Sequence, residues 1–365
     1  MPRRARNSAG NEPAAKQTVA MSAPETETMT AAEAYRRRAL TPMQRIQRVL
    51  HRYPQISPFL VLIVTAAVFS FINPRFLQPS NLSLILQQVA VIGALAIGQT
   101  LIILTAGIDL SVGAVMILAT MVMGSLAGYH GVPGWLALLV GLGVGASAGF
   151  LNGLLVARMK LPPFIVTLGT LNVFTAISLI MSGGRSIPGD ALGDLLTFTN
   201  VSFPVGPFQM TIGALLVIVT YLVVGGALSQ TPWGRHVYAV GDDPAAARLA
   251  GIEVRRLLIS VYTIAGVIFG LSAWVLIGRV GAATPNSAVD ANLDSITAVV
   301  IGGTSLFGGR GGLIGSFIGA ITVGVFRNGL ALARVDVLYQ TLAIGLLIIA
   351  AVSLDQWIRK VRVRK

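Results

Sequence analysis

Apolar residues in this chain run almost unbroken for about twenty positions at a time, repeatedly, from Ser57 to Trp357. A helix rising ~1.5 Å per residue needs about 20 such residues to cross ~30 Å of hydrocarbon. The pattern therefore predicts membrane-spanning helices. Strands of a membrane barrel would instead alternate over ~10 residues. The spans fall near 57–73, 83–106, 110–128, 135–156, 163–182, 210–229, 257–277, 294–306, 312–330 and 337–355. The eighth is too short to cross alone and is expected to be broken or steeply packed. The fold class predicted is an all-α polytopic membrane protein of about ten transmembrane helices, occupying 55–357.

Polar sequence flanks these runs. Residues 1–40 lack an apolar period and read as a disordered cytoplasmic tail. They hold no apolar h-region, so a cleaved signal peptide is not expected. "TPMQRIQRVLHRYP" (41–54) puts Met43, Ile46 and Leu50 on one face among arginines, after Thr41 as cap and Pro42 in the first turn. It reads as a basic amphipathic helix on the membrane surface, or as a solvated helix leading into the first span. Residues 358–365 form a basic cytoplasmic carboxyl terminus.

Composition agrees: 54% of residues are hydrophobic and only 11% charged, where a soluble domain carries about a quarter charged. The net charge of +13 invites a nucleic-acid reading, but its placement argues for topology. With both termini inside, 22 Lys and Arg lie on the inner side against Arg75, Arg185, Arg279 and Arg334 outside, as the positive-inside rule requires.

Two pairs of segments echo one another. "FLNGLLVAR" (150–158) closes the fourth span and "FRNGLALAR" (326–334) the ninth; "DLSVGAV" (109–115) opens the third and "DSITAVV" (294–300) the eighth. A five-span offset inverts the direction of each partner, the signature of an inverted repeat. Glycines at every fourth position, Gly141, Gly145, Gly149 and Gly153 on span four and Gly311, Gly315 and Gly319 on span nine, predict close helix packing.

Candidate chemistry is sparse. The chain has no cysteine and three scattered histidines, so no metal site or cofactor is expected. "IGGTSLFGGRGGLIG" (301–315) lacks the phosphate-loop pattern and reads as a turn. Ion coupling needs acids and bases deep inside spans, whereas Arg327 is the main interior candidate and Asp109 and Asp294 sit near span ends. Asp109 reads as the N-cap of span three, as a group on a water-filled path, or as both. The outward loop 182–207 carries Arg185, Asp190 and Asp194, with a short helix expected over 187–196; it reads as a docking surface or as an ordinary solvated loop.

One inward segment is out of character. In "GDDPAAARLAGIEVRR" (241–256), within the loop 230–256, Asp243 suits an N-cap, Pro244 the first helical position and Gly251 a left-handed C-cap. So short a helix needs a partner surface. Either it packs under its own spans or it inserts into a groove of another protein. The second reading makes the chain half of a two-part machine.

"LTAGIDLSVGAVMILA", "PPFIVTLGTLNVFTAISLIMSGG", "GRHVYAVGDDPAAARLAGI" and "LDSITAVVIGGTSLFGGRGGLIGSFIGA" resemble the ribose-type permeases of bacterial ABC sugar importers, over about residues 50–357. The resemblance implies the type II importer fold, a dimer of permeases in the bacterial inner membrane, a cytoplasmic ATPase pair and a periplasmic sugar-binding protein. Asp243, Pro244, Ala246, Leu249, Ala250 and Gly251 match the ATPase-coupling segment. Candidate pathway residues are Asp109, Ser111, Asn152, Thr170, Asn172 and Ser178. The chain itself would not be an enzyme. The same machine with an amino acid or nucleoside as cargo, an ion-coupled secondary transporter and an intramembrane enzyme are the alternatives.

Overall fold

A computed structural model describes residues 56–287 and 290–360. The tail 1–40, the helix expected over 41–54 and residues 361–365 lie outside the described residues. Each apolar run holds a helix. The first five are α1 (Ile56–Ile72), α2 (Pro79–Leu104), α3 (Val112–Gly128), α4 (Gly134–Met159) and α5 (Pro163–Ser182). After α6 (Gly193–Thr197) come α7 (Ile212–Gln230), α8 (Pro232–Asp242), α9 (Pro244–Leu249), α10 (Val254–Val280), α11 (Ala291–Ile301), α12 (Leu313–Leu332) and α13 (Val337–Lys360). Six of these, α2, α4, α5, α7, α10 and α12, are long and apolar enough to cross a membrane. The short eighth run yields the 11 residues of α11, about 16 Å of helix.

Local sequence explains the boundaries. Thr211 opens α7 by accepting from the Ala214 N–H, and prolines occupy the first turns of α2 and α5. Gly183 and Gly281 end α5 and α10 with positive φ. Residues 202–211 form a hairpin of β2 (Ser202–Val205) and β3 (Phe208–Thr211), which marks one end of the bundle. α8 and α9 mark the other.

α2 and α10 run through the centre and are the most enclosed of the long helices. The packing repeats around them with the inverted offset: α10 packs on α3 and α4 as α2 packs on α11 and α12, and α3 packs on α4 and α5 as α11 packs on α12 and α13. The echo read in the sequence is thus an echo in the fold. Exposed Phe59, Ile180, Leu222 and Leu338 on α1, α5, α7 and α13 form an apolar exterior, as lipid contact requires.

The glycine ridge on α4 brings backbones together. A side chain at Gly145 or Gly149 would collide with the carbonyl of Gly266 or Tyr262 on α10, and one at Gly153 would press on Ile259. Gly141 instead accommodates the Met123 side chain. Gly315 and Gly319 pack on the carbonyls of Gly302 and Ala298. Gly311 is a correction: it precedes α12, and its φ of 121° makes it a turn residue.

The loop 182–207 differs from expectation. Ile187–Pro188 (β1) pairs with Ala282–Ala283 (β4), a 3-10 turn covers Gly189–Ala191, and α-helix forms only in the short α6, which opens at Gly193 with its φ of 74°. Ile187, Leu192 and Leu196 are buried and pin the loop to the bundle, while Arg185, Asp190 and Asp194 stay exposed.

Candidate functional site: the α9 knob and two carboxyl nodes

The exposed α9 is capped at both ends. Asp243 Oδ1 accepts from the N–H groups of Ala245 (2.8 Å) and Ala246 (3.0 Å). At the far end the Gly251 N–H donates to Arg248 O and the Ile252 N–H to Ala247 O, with Gly251 at φ 85°. Ala247 faces inward and buries itself; Leu249 is 91% exposed.

What steadies α9 is α8, a helix where a loop is expected from sequence. Its signal was present in "QTPWG": Thr231 accepts from the Gly234 N–H and Pro232 occupies the first turn. Three backbones meet where α8 ends. The Gly309 N–H donates to Leu104 O at 3.0 Å, and a side chain on Gly241 would collide with Leu104 O. One on Gly308 would press on Ala106 and on Gly241 O. The knob is therefore joined to the end of α2 and to the turn before α12.

Beyond that junction lies the break between α2 and α3. α2 ends with Ala106 N–H donating to Ile103 O and Gly107 N–H to Ile102 O. Ala106 takes the left-handed position, φ 61°, that glycine usually fills. The chain then buries Asp109, 1% exposed. Asp109 Oδ1 accepts from the Ser111 N–H and Oγ–H, both at 2.6 Å, and Asn152 Nδ2 of α4 donates to Ser111 Oγ at 2.9 Å. Thr167 Oγ1 of α5 accepts from the Leu110 N–H. The cap of α3 falls on Ser111, without a side-chain bond to the helix. Asp109 bonds the turn before the helix instead, because two intervening residues keep it from the first helical N–H groups. Asn152 Oδ1 and Tyr262 Oη, both buried nearby, have no protein partner among the described residues; a Cβ on Gly107 would touch that phenol at 2.8 Å.

The second node mirrors the first. Arg327 of α12 donates through Nε (3.1 Å) and Nη2 (2.8 Å) to Asp294 Oδ1 in the first turn of α11. Nη2 also reaches Asp290 Oδ2 at 3.4 Å. In each half, then, the asparagine–glycine helix holds the carboxyl near the start of the short helix. The two short helices meet at their amino ends, where Asn292 Oδ1 accepts from the Gly113 N–H. The neighbouring Asn328 pairs its amide with that of Asn81 on α2.

Residues 81–352 match the family described as branched-chain amino acid transport system / permease component. The chain belongs to this family. It is 48% identical over 325 residues to the fructose import permease of Rhizobium meliloti, covering 88% of this chain and 90% of that one. It is 39% identical over 306 residues to the ribose import permease of Bacillus subtilis (83% and 92%). The D-allose transport system permease of Escherichia coli is 36% identical over 310 residues (84% and 93%).

Within this permease fold the residues singled out from sequence separate. Asp109, Ser111 and Asn152 come together in one sealed node. Thr170 and Ser178 are buried along α5 and bond their own helix, to Thr167 O and Phe174 O. Asn172 alone of the six is exposed. Asp294 and Arg327, which the sequence offers singly as ion-relay candidates, pair across 33 residues, a contact no local pattern predicts.

Proposed function

We propose that this chain is the membrane-spanning subunit of an ATP-driven, binding-protein-dependent importer of a monosaccharide, of the class named for the fructose, ribose and allose permeases it resembles. It sits in the bacterial inner membrane with the basic α8–α9 end toward the cytoplasm. Two permease copies enclose the path, with the exposed Asn172 face of α5 turned toward it. A periplasmic binding protein delivers the sugar to the hairpin end, where Arg185, Asp190 and Asp194 stand exposed.

The observation that carries this reading is the capped knob α9, with Leu249 presented to solvent and its root joined through Gly241 to Leu104 and Gly309. A separate ATPase subunit receives Leu249 in a groove. Closure of the paired ATPases then pushes α9, and the backbone junction carries the push to the α2–α3 break and the α12 turn. Rigid tilting of the two permeases alternates access to the path. In the assembly of permease, ATPase and binding protein in nanodiscs, Leu249→Asp is expected to abolish the sugar-stimulated rise in ATP hydrolysis while insertion stays normal. Stimulated hydrolysis at the wild-type rate would overturn the coupling role.

A further inference from the structure

The two nodes differ in what they expose. Asp109, Ser111 and Asn152 are sealed, and their bonds are made with neutral donors. At the other node the Arg327 side chain is 29% exposed and Asp290 50%, with Asp294 at 7%. Arg327 lies five residues before the end of α12, about 8 Å from its terminus at the helical rise. Charged groups are more stable in water than in hydrocarbon, so an opening onto water suits this node best. Its protein bonds use Nε and Nη2, leaving Nη1 without a protein bond among the described residues. Arg279, at the same end of α10, adds a second guanidinium within electrostatic range.

This is the donor and acceptor set that a neutral polyol requires. Adjacent hydroxyls of a sugar donate to a carboxylate and accept from a guanidinium edge, and charge-assisted bonds of this kind are about twice as strong as neutral ones. The planar fork of arginine also fixes orientation, which a lysine cannot reproduce.

We propose that Arg327, Asp294 and Asp290 form a contact site for the sugar on its way through the permease, Asp290 and the Nη1 edge of Arg327 meeting its hydroxyls while Asp294 holds the guanidinium in place. The site rests on the transport reading above and adds to it a place and a chemistry. It leaves the sealed node as a brace.

The test uses the permease–ATPase assembly in nanodiscs without binding protein, with radiolabelled D-fructose, D-ribose and D-allose as probes at millimolar concentration. Asp290→Asn is nearly isosteric and sits on an exposed side chain, so it keeps the fold. Arg327→Lys keeps the charge. Each is expected to weaken binding of the transported sugar about tenfold, while Ser229→Ala, which removes an exposed hydroxyl bonded only to its own helix, leaves it unchanged. Unchanged binding in both variants, or no binding of any probe by a wild-type assembly that imports one of them, would overturn the site. A wild-type assembly whose ATP hydrolysis ignores loaded binding protein and which moves no sugar would instead sink the transport reading.

Discussion

Asp109 and Asp294 stand at related places in the two inverted halves, yet the protein treats them differently. Asp109 is enclosed and satisfied by the hydroxyl and backbone of Ser111, itself held by Asn152. Asp294 is held by a guanidinium that reaches it from α12 and touches Asp290 as well. The residue before the shared asparagine makes the difference: Leu151 in one half, Arg327 in the other. One repeat thereby gains a sealed carboxyl node bonded by uncharged donors, and the other an ion-paired node that is partly exposed. A duplicated framework sets where a carboxyl lies; a single flanking residue sets what it can do.

The largest effect expected at either node is from Arg327→Ala. It strands Asp294 in a mostly buried place without its cation, a loss of about 3–5 kcal/mol, read as a fall in the melting temperature of the detergent-solubilised chain. Replacing Asp294 and Arg327 together with leucine should restore most of that stability, since breaking a buried pair costs more than removing it, but should not restore uptake.

Ser111→Ala sharpens the contrast. It removes a hydroxyl that both donates to Asp109 and accepts from Asn152, for about 1.5–3 kcal/mol, with sugar binding untouched. Equal losses of stability and equal losses of binding at the two nodes would erase the distinction drawn between them. Smallest is Asp243→Ala, away from both nodes. Loss of the cap costs about 1 kcal/mol in α9, seen as roughly fivefold weaker docking of the ATPase subunit with an unchanged melting temperature.

Much of this was legible in the chain. The apolar runs place ten helices, and 22 basic residues against four set the expected topology. The α9 knob could be read almost residue by residue, from the Asp243 cap to the turn at Gly251, because capping is local chemistry. α8 went unread although Thr231 and Pro232 announce it, since its amphipathic pattern was absorbed into the loop around it. Thr170 and Ser178 illustrate another limit: a polar residue in a span suggests a path, but each hydroxyl bonds a carbonyl of its own helix.

Sequence alone determined the membrane class, the order of the apolar helices, the inverted echo and the knob, because each depends on periodicity or on neighbours within a few residues. Tertiary structure alone decided that Asn152 reaches Ser111 across 41 residues, that Arg327 takes Asp294 across 33, and that Gly241 abuts Leu104. Those are contacts between helices, and whether a buried charge is sealed or open depends on how the helices pack, which no local pattern encodes.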